Sequence, residues 1–318
     1  MVDDKPLKII CVGECMVELK QTHRAGENDP AQVTASYTTS FAGDVTNFAV
    51  YLKRLLPLSA VQFLSATGND AISEQMRASL ADEGIDQTLL AKSPTKTVGL
   101  YMINTDPSGE RTFSYWRSDS AAKQMFNLVD TALLSNTADL ADYFYFSGIT
   151  LAILNQPSRE KLFELVKRLR QQGKKIIFDP NFRARLWANK EDALAQIERS
   201  YHLCDILLSS SEDEQMLWNE ASTEITLKRL TSYQINEIVL TDGASLIYGI
   251  DHTHQLQVQP MKVDKVVDTT SAGDGFNAGY IAARHAGLPM AEAIQQASEL
   301  ASLVISHRGA IMPKSSMP

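Results

Sequence analysis

The chain of 318 residues is 44% hydrophobic and 21% charged, the composition of an ordinary globular protein of enzyme size. A count of 30 Lys and Arg against 38 Asp and Glu gives a formal net charge of −8, which argues against nucleic acid or an anionic membrane as the main partner. Its 3 cysteines cannot form a disulfide framework and suit a reducing cytoplasm, and we expect neither a signal peptide nor a membrane span, which needs roughly 18 apolar residues in a row.

Short apolar segments along the chain predict buried parallel strands. In chain order they are Ile9–Val12, Phe63–Ala66, Tyr143–Ser147, Ile176–Phe178, Ile206–Leu208 and Ile238–Leu240. Apolar residues that recur every three or four positions predict amphipathic helices at Thr46–Leu56, Ser158–Gln172 and Met290–Ser306. Gly173 stands where a helix is expected to end. Strands that alternate with helices predict an α/β protein with a doubly wound, mostly parallel sheet flanked by helices.

Two segments interrupt this alternation, at about residues 14–41 and 96–118, and both are rich in Thr, Tyr and Ser. In the second, the turn Asp106–Gly109 joins two extended runs and predicts a hairpin. We expect these strands to form a small antiparallel β lid inserted into a single domain that spans residues 1–318. Exposed lid strands would also permit pairing between subunits of a homo-oligomer.

The segment Asp268–Tyr280 carries the strongest functional signal. Three small residues, Ser271, Ala272 and Gly273, precede Asp274, and a helical pattern follows. The N-terminus of a helix attracts anions, and small residues let a phosphate approach its backbone N–H groups closely. The three small residues are therefore candidates for an anion hole, and Asp274 for a base that deprotonates an attacking hydroxyl. An Asp that merely caps the helix is the alternative. The P-loop motif GxxxxGK[ST] does not occur, so phosphate would be bound in another way.

The run Asp268–Gly279 resembles the C-terminal signature of the ribokinase-like (PfkB) carbohydrate kinases, D-T-x-x-A-G-D-x-F-x-A-G. The family's N-terminal signature, a glycine turn followed by Asn, is matched by Ala42–Asn47, with Ala42 in place of the usual first glycine. The two signatures occur in the family's order, and the resemblance covers essentially the whole chain. It implies a ribokinase-like fold and a cytoplasmic sugar kinase that uses ATP and Mg²⁺, with Asp274 as the general base.

Within the family, four segments resemble the branch that phosphorylates the sugar acid 2-keto-3-deoxygluconate: Gly13–Glu18, Gly109–Arg117, Asp179–Trp187 and Arg308–Ile311. The resemblance implies a set of substrate-binding residues, namely Gly43, Asp44, Asn47, Tyr101, Tyr115, Arg117, Arg183 and Asp274. The glycine turn would bind sugar hydroxyls. The tyrosines, Arg117 and Arg183 would surround the substrate carboxylate, whose geometry matches the planar fork of a guanidinium. Arg111 and Arg185 are better interpreted as solvated surface cations.

The resemblance places the nucleotide at the carboxyl end of the strand Ile238–Leu240, where ligands bind open α/β sheets. The implied nucleotide-binding residues are Asn181, Thr241, Gly243, Ala244 and Gly273, with further contacts from the helix that contains Ala301 and Ser302. The family's Asn-x-x-Glu motif is matched only in part by Ser211–Glu214. Glu214 is a candidate metal ligand, although Mg²⁺ is commonly held by phosphates and water. A requirement for a monovalent cation stays open.

Two alternative functions also stay open. A kinase of the same family could act on a neutral sugar such as fructose or on another deoxy-keto acid. A catalytically inactive, sugar-binding regulator could share the fold, although the presence of Asp274 and of the small-residue turn disfavours it. Cys11 and Cys15 do not have zinc-site spacing and are interpreted as buried thiols, and His252 and His254 lack a third ligand.

Overall fold

The computed structural model describes residues 6–23, 35–105 and 111–318. The strands are, in chain order, β1 (Lys8–Val12), β2 (Met16–His23), β3 (Ser36–Ala42), β4 (Ala60–Thr67), β5 (Leu90–Lys92), β6 (Gly99–Thr105), β7 (Arg111–Trp116), β8 (Tyr143–Ser147), β9 (Lys175–Asp179), β10 (Ile206–Ser210), β11 (Glu237–Asp242), β12 (Leu246–Asp251) and β13 (Gln255–Val258).

The α-helices are α1 (Asp44–Leu55), α2 (Ala71–Asp82), α3 (Met125–Leu128), α4 (Thr131–Leu140), α5 (Gly148–Ile153), α6 (Gln156–Gln171), α7 (Lys190–Tyr201), α8 (Ser211–Trp218), α9 (Thr223–Leu230), α10 (Ala272–His285) and α11 (Met290–Ile305). Short 3₁₀ turns occur at Ala121–Gln124, Ala184–Leu186 and Lys314–Ser316. None of the helices in the described ranges is long and apolar enough to cross a membrane.

The larger sheet has the strand order β13-β12-β11-β10-β9-β8-β1-β4-β5. Its neighbouring strands are parallel, except at one edge, where β11, β12 and β13 are antiparallel. The prediction of an α/β protein with a mostly parallel sheet is therefore confirmed, and each of the six predicted strands is found. The antiparallel edge and the short β5 were not predicted.

The hydrophobic core lies on both faces of the larger sheet. Successive side chains of a strand point to opposite faces, and β1 shows the result: Ile9 and Cys11 pack into one cluster, and Ile10 and Val12 into the other. Helices α1, α2, α10 and α11 cover the first face, whereas α4 to α9 cover the second. This two-sided burial explains why the central strands read as continuous apolar runs.

The three predicted helices are confirmed within two residues at each end, as α1, α6 and α11. Local chemistry sets the ends of α6. The Asn155 side chain accepts a hydrogen bond from the Ser158 N–H at the start. Gly173, with φ +77°, adopts the left-handed conformation just after the end.

The smaller sheet has the order β3-β2-β6-β7 and is built from the two segments predicted to form a lid. The expectation of an antiparallel lid is wrong in one respect, because β2 and β6 are parallel. A parallel pair needs a long connection, and here β3, α1, β4, α2 and β5 lie between the two strands. Residues 24–34, the turn Asp106–Gly109 with Glu110, and the Arg111 side chain lie outside what the structure describes.

The turn after β8 shows how closely the loops at the carboxyl end of the sheet pack. Gly148 begins α5, and a Cβ atom on it would lie 1.9 Å from the backbone oxygen of Pro180, which follows β9. A glycine is therefore required where these two loops meet. The loops support Ile149 and Asn181, which line the cleft described below.

We predict that Gly148→Ala lowers the free energy of unfolding by about 2–3 kcal/mol or more, because a backbone carbonyl cannot rotate away as a flexible side chain does. Urea denaturation measures this change. Gly173→Ala is the control: it meets no atom within 4 Å, so only the cost of its positive φ, about 1 kcal/mol, is expected. Equal losses in the two variants would contradict the close approach.

Candidate active site

A cleft of about 330 Å³ lies between the carboxyl ends of the large-sheet strands and the lid sheet. It brings together most of the residues predicted for the site: Gly43, Asp44, Asn47, Tyr101, Tyr115, Arg117, Asn181, Arg183, Thr241, Ser271, Ala272, Gly273 and Asp274. Gly243 and Ala244 do not line it but belong to the turn directly after β11. A cleft at this edge is where ligands bind open α/β sheets.

Asp274 lies in the first turn of α10 and is buried at the inner end of the cleft. Its Oδ2 accepts a hydrogen bond of 2.8 Å from the Asn47 side-chain amide on α1. Burial, reinforced by the nearby Asp44 carboxylate, raises the pKa of Asp274 to about 7, even though the bond from Asn47 lowers it. A carboxyl group with a pKa near the working pH suits a proton acceptor.

The N-terminus of α10 is open toward the cleft. Ser271 precedes the helix in a left-handed conformation, with φ 66°, which is uncommon for a residue with a side chain. The first helical bond of the turn runs from the Gly275 N–H to the Ser271 carbonyl, so earlier N–H groups have no partner within the helix. The Ala272 N–H already donates to the Thr269 carbonyl at 3.3 Å. At Gly273 a Cβ atom would meet nothing within 4 Å, which leaves room for an anion beside the backbone.

The glycine turn before α1 fixes the orientation of Asn47. The Gly43 N–H donates to the Asn47 Oδ1 at 3.3 Å, and the Asn47 N–H donates to the Gly43 carbonyl at 2.7 Å. A Cβ atom on Gly43 would lie 2.2 Å from the Glu14 carbonyl oxygen, so no larger residue fits. With its Oδ1 engaged in the turn, Asn47 directs its amide nitrogen at Asp274.

Two further carboxyl groups line the cleft that the sequence analysis did not single out, Asp179 and Asp213. Asp179 accepts hydrogen bonds of 3.0 Å from the Asn277 side chain and from the Asn181 N–H. Burial, with the charge of Asp274, raises the pKa of Asp179 well above its ordinary value. Two signals were available: Asp179 directly follows a predicted strand, and Asn277 lies one helical turn after Asp274, on the same face.

The arginines of the cleft have different partners. Arg117 is buried and forms an ion pair of 2.6 Å with Glu14, which is itself 1% exposed. Arg183 forms an ion pair of 2.9 Å with Asp213. Arg185, interpreted from sequence as a surface cation, also lines the cleft, and its guanidinium lies 3.8 Å from the ring centroid of Tyr115.

The tyrosines predicted to meet the substrate form the lid wall of the cleft. The Tyr101 hydroxyl donates a hydrogen bond to the buried Glu18, and the rings of Tyr101 and Tyr115 are stacked, with centroids 5.8 Å apart. Burial, reinforced by the Glu18 carboxylate, raises the pKa of Tyr101. Tyr101 is thereby held in one orientation.

Glu214, the candidate metal ligand, does not line the cleft. Its carboxylate is fully buried, accepts hydrogen bonds of 2.7 Å from Tyr201 and Ser209, and forms an ion pair of 2.8 Å with Arg229. These contacts pair the buried carboxylate, which would be costly to bury alone. Among the residues that the structure describes, no group of three or more His, Cys, Asp or Glu side chains could hold a metal ion by itself.

The ion pair between Arg117 and Glu14 generates a prediction about stability. We expect Arg117→Leu to lower the free energy of unfolding by about 3–5 kcal/mol, because it leaves the Glu14 carboxylate buried without its partner. The double variant Glu14→Leu/Arg117→Leu removes both charges and should recover much of that loss. Urea denaturation of the wild type, Arg117→Leu, Glu14→Leu and the double variant checks this. A double variant that loses as much stability as the two single variants together would contradict a coupled pair.

Comparisons with known proteins agree with this geometry. The sequence matches the pfkB family of carbohydrate kinases over residues 6–317. It is 39% identical over 315 residues to the 2-dehydro-3-deoxygluconokinase of Dickeya dadantii (strain 3937), covering 98% of each chain. It is 29% identical over 275 residues to the fructokinase of Vibrio alginolyticus, covering 85% of this chain and 86% of that one.

The fold is similar to that of an Escherichia coli protein designated ribokinase II and solved with ATP and Mg²⁺. The TM-score is 0.81, with 21% identity, and the match covers 98% of this chain and 96% of the other. The predicted ribokinase-like fold is thus confirmed. Two signatures, the cleft they form and a family match over nearly the whole sequence lead to one conclusion: the chain belongs to the pfkB family of carbohydrate kinases.

Proposed function

We propose that the protein transfers the γ-phosphoryl group of ATP to the 6-hydroxyl of 2-keto-3-deoxygluconate, giving the 6-phosphate and ADP. This substrate is the 2-dehydro-3-deoxygluconate in the name of the Dickeya dadantii relative. The observation that carries the proposal is the cleft itself, in which arginine side chains and a buried Asp274 line one cavity. Arginine matches a carboxylate, and a buried Asp with a raised pKa suits the deprotonation of a hydroxyl.

In this proposal Asp274 accepts the proton of the 6-hydroxyl as that oxygen attacks the phosphorus in line. The amide of Asn47 keeps the carboxylate oriented through the bond of 2.8 Å, leaving its other oxygen available to the substrate. The N–H groups of Gly273 and Asp274 point to where negative charge develops on the transferred group. Positioning and charge stabilisation of this kind supply most of the catalysis in phosphoryl transfer.

The donor set of the cleft fits a magnesium ion that arrives with the nucleotide. Mg²⁺ commonly keeps water and phosphate oxygens and adds only one or two carboxylates. In the described ranges no group of three or more His, Cys, Asp or Glu side chains could hold a metal ion by itself, so the ion would be held mainly by nucleotide phosphates and water. When bound, the ion would neutralise phosphate charge. The nucleotide itself would lie along Asn181, Thr241, Gly243 and Ala244, toward the open N-terminus of α10.

At the sugar end, Gly43, Asp44 and Asn47 would bind hydroxyl groups, and Tyr101 and Tyr115 would pack against the carbon chain. Arg117 and Arg183 would contact the carboxylate through donors that their ion pairs leave over, since a guanidinium has five. The lid sheet would close over the substrate and exclude water, so that ATP is not hydrolysed without transfer.

A neutral-sugar kinase is the second candidate, favoured by the 29% identity to the Vibrio alginolyticus fructokinase and by the neutralisation of Arg117 by Glu14. The test is turnover on 2-keto-3-deoxygluconate and on fructose, measured by coupled ADP release. We expect kcat/KM to be at least about 100-fold higher on the acid, the discrimination typical of a site built to bind a polar group that the other substrate lacks.

Asp274→Asn is the matched control in that assay, because it keeps the size of the side chain and removes the proton acceptor. Loss of a general base costs about 10²–10⁴-fold in rate, so ADP release should fall at least about 100-fold with KM nearly unchanged. Equal turnover of the two sugars would reject the acid substrate. Near-normal kcat in Asp274→Asn would reject Asp274 as the base.

The raised pKa of Asp274 predicts the pH dependence. A base works only when deprotonated, so kcat/KM should rise with pH through about 7 and level off above it. Asp44→Asn removes the nearby charge that helps to raise this pKa. The acid limb of the kcat/KM profile of this variant should therefore move to lower pH, whatever the absolute rate of the variant. A limb at the same pH in both proteins would assign the titration to the nucleotide instead of Asp274.

A further inference from the structure

One arginine has no carboxylate partner among the described residues that line the cleft. Two of its arginines are already paired, Arg117 with Glu14 and Arg183 with Asp213. Arg185 also lines the cleft and has no carboxylate partner among the residues that the structure describes. In a protein of net charge −8, a sugar acid that enters this cleft meets, among the described residues that line it, a single guanidinium without a carboxylate partner.

The surroundings of Arg185 leave its donors free while fixing its position. It belongs to the 3₁₀ turn Ala184–Leu186, and its guanidinium lies over the ring of Tyr115, 3.8 Å from the centroid. A guanidinium stacked on a ring is held by its face, so its N–H donors, which lie in the plane at the edge, can still bind an anion. Tyr115 is on the lid strand β7, so the contact joins the core to the lid.

The other exposed arginine of the cleft, Arg183, lies two residues before Arg185 and lines the same cleft. Its guanidinium is ion-paired with Asp213, so less of its charge is available to a substrate. In 2-keto-3-deoxygluconate the carboxylate is at carbon 1 and the reacting hydroxyl at carbon 6. When that hydroxyl is at Asp274, the carboxylate at the other end of the carbon chain can reach the lid side of the cleft, where Arg185 is stacked on Tyr115.

We propose that Arg185, stacked on Tyr115, binds the substrate carboxylate and so determines the preference of this protein for a sugar acid. The inference rests on the proposed function and adds to it a residue that the sequence placed on the surface. A competing role for Arg185 is a latch that only holds the lid against the core through Tyr115. The two roles differ in one respect, since a latch affects charged and neutral substrates alike.

The test compares two substrates that differ only in the charged group. 2-Keto-3-deoxygluconate carries a carboxylate at carbon 1, and 3-deoxyfructose carries a hydroxymethyl group there. Arg185→Gln removes the charge and keeps much of the side chain. Arg168→Gln is the charge-matched control, because Arg168 is on α6, 3.5 Å from Asp139 and outside the cleft.

For Arg185→Gln we expect kcat/KM on the acid to fall roughly 10-fold or more, mainly through KM, as for the loss of a hydrogen bond between charged groups. On 3-deoxyfructose the change should stay within about 2-fold, and Arg168→Gln should resemble the wild type on both substrates. The ratio of the two kcat/KM values is the decisive quantity, because it cancels a general loss of lid order.

Equal losses on both substrates would overturn the proposal and assign Arg185 to the latch. A variant whose kcat/KM is unchanged on both substrates would overturn it as well, and would return the carboxylate to Arg117 or Arg183. The wild-type protein distinguishes a failure of the proposed substrate from a failure of the role of Arg185. If it shows no preference for the acid over 3-deoxyfructose, the proposed substrate itself is wrong; if it shows one that Arg185→Gln leaves intact, only the role of Arg185 is wrong.

Discussion

The hydrogen bond between Asn47 and the buried Asp274 is the contact on which the site depends. It joins α1 to α10 at the point where both helices begin. A carboxylate removed from water resists ionisation unless donors stabilise its charge, and the 2.8 Å bond from Asn47 lets Asp274 titrate at about 7 and not higher. The same bond orients the carboxylate toward the cleft. The bond from Asn47 therefore orients the Asp274 carboxylate and also lowers its pKa, which burial and Asp44 raise.

The rest of the fold keeps that interaction rigid. On Gly279 of α10 a Cβ atom would lie 2.9 Å from the Cα of Ala297, and on Gly275 one would lie 2.9 Å from the Val304 side chain, so α10 packs against α11 with no space between them. Tyr51 of α1 bonds to the Ala310 carbonyl and accepts a bond from the Met312 N–H. The helices that carry Asp274 and Asn47 are thus both held by packing against neighbouring structure, as precise positioning requires.

The charge available in the cleft depends on which of its arginines are paired with carboxylates. An acidic chain that binds two anionic substrates needs local positive charge, yet a lone buried guanidinium would be costly. The structure keeps Arg117 buried by pairing it with Glu14, and leaves Arg185 exposed at the cleft wall, where a ring supports it. The exposed Arg185 would then provide affinity for an acid, and the buried pair of Arg117 with Glu14 would contribute to stability.

Much of this architecture could be predicted from sequence because its signals are local. Ile206–Leu208 is an unbroken apolar run, and such a run predicts a strand buried on both faces. The signature around Asp274 predicts the start of α10. The pairing of Glu14 with Arg117 could not be predicted, since it joins residues far apart in the chain that the lid brings together. For Arg185 the general rule that arginines are solvated agrees with its exposure. Its stacking on Tyr115 could not be predicted, because only the packing of β7 shows that this ring lies under it.

A crystal structure of the complex with 2-keto-3-deoxygluconate and a non-hydrolysable ATP analogue tests the central claim most directly. We predict the 6-hydroxyl about 2.6–3.2 Å from the Asp274 carboxylate, within reach of a general base. We predict the substrate carboxylate at the lid end, on an arginine, and the γ-phosphate at the N-terminus of α10. A substrate bound in the reverse direction, with its carboxylate toward α10 and no hydroxyl near Asp274, would contradict the account.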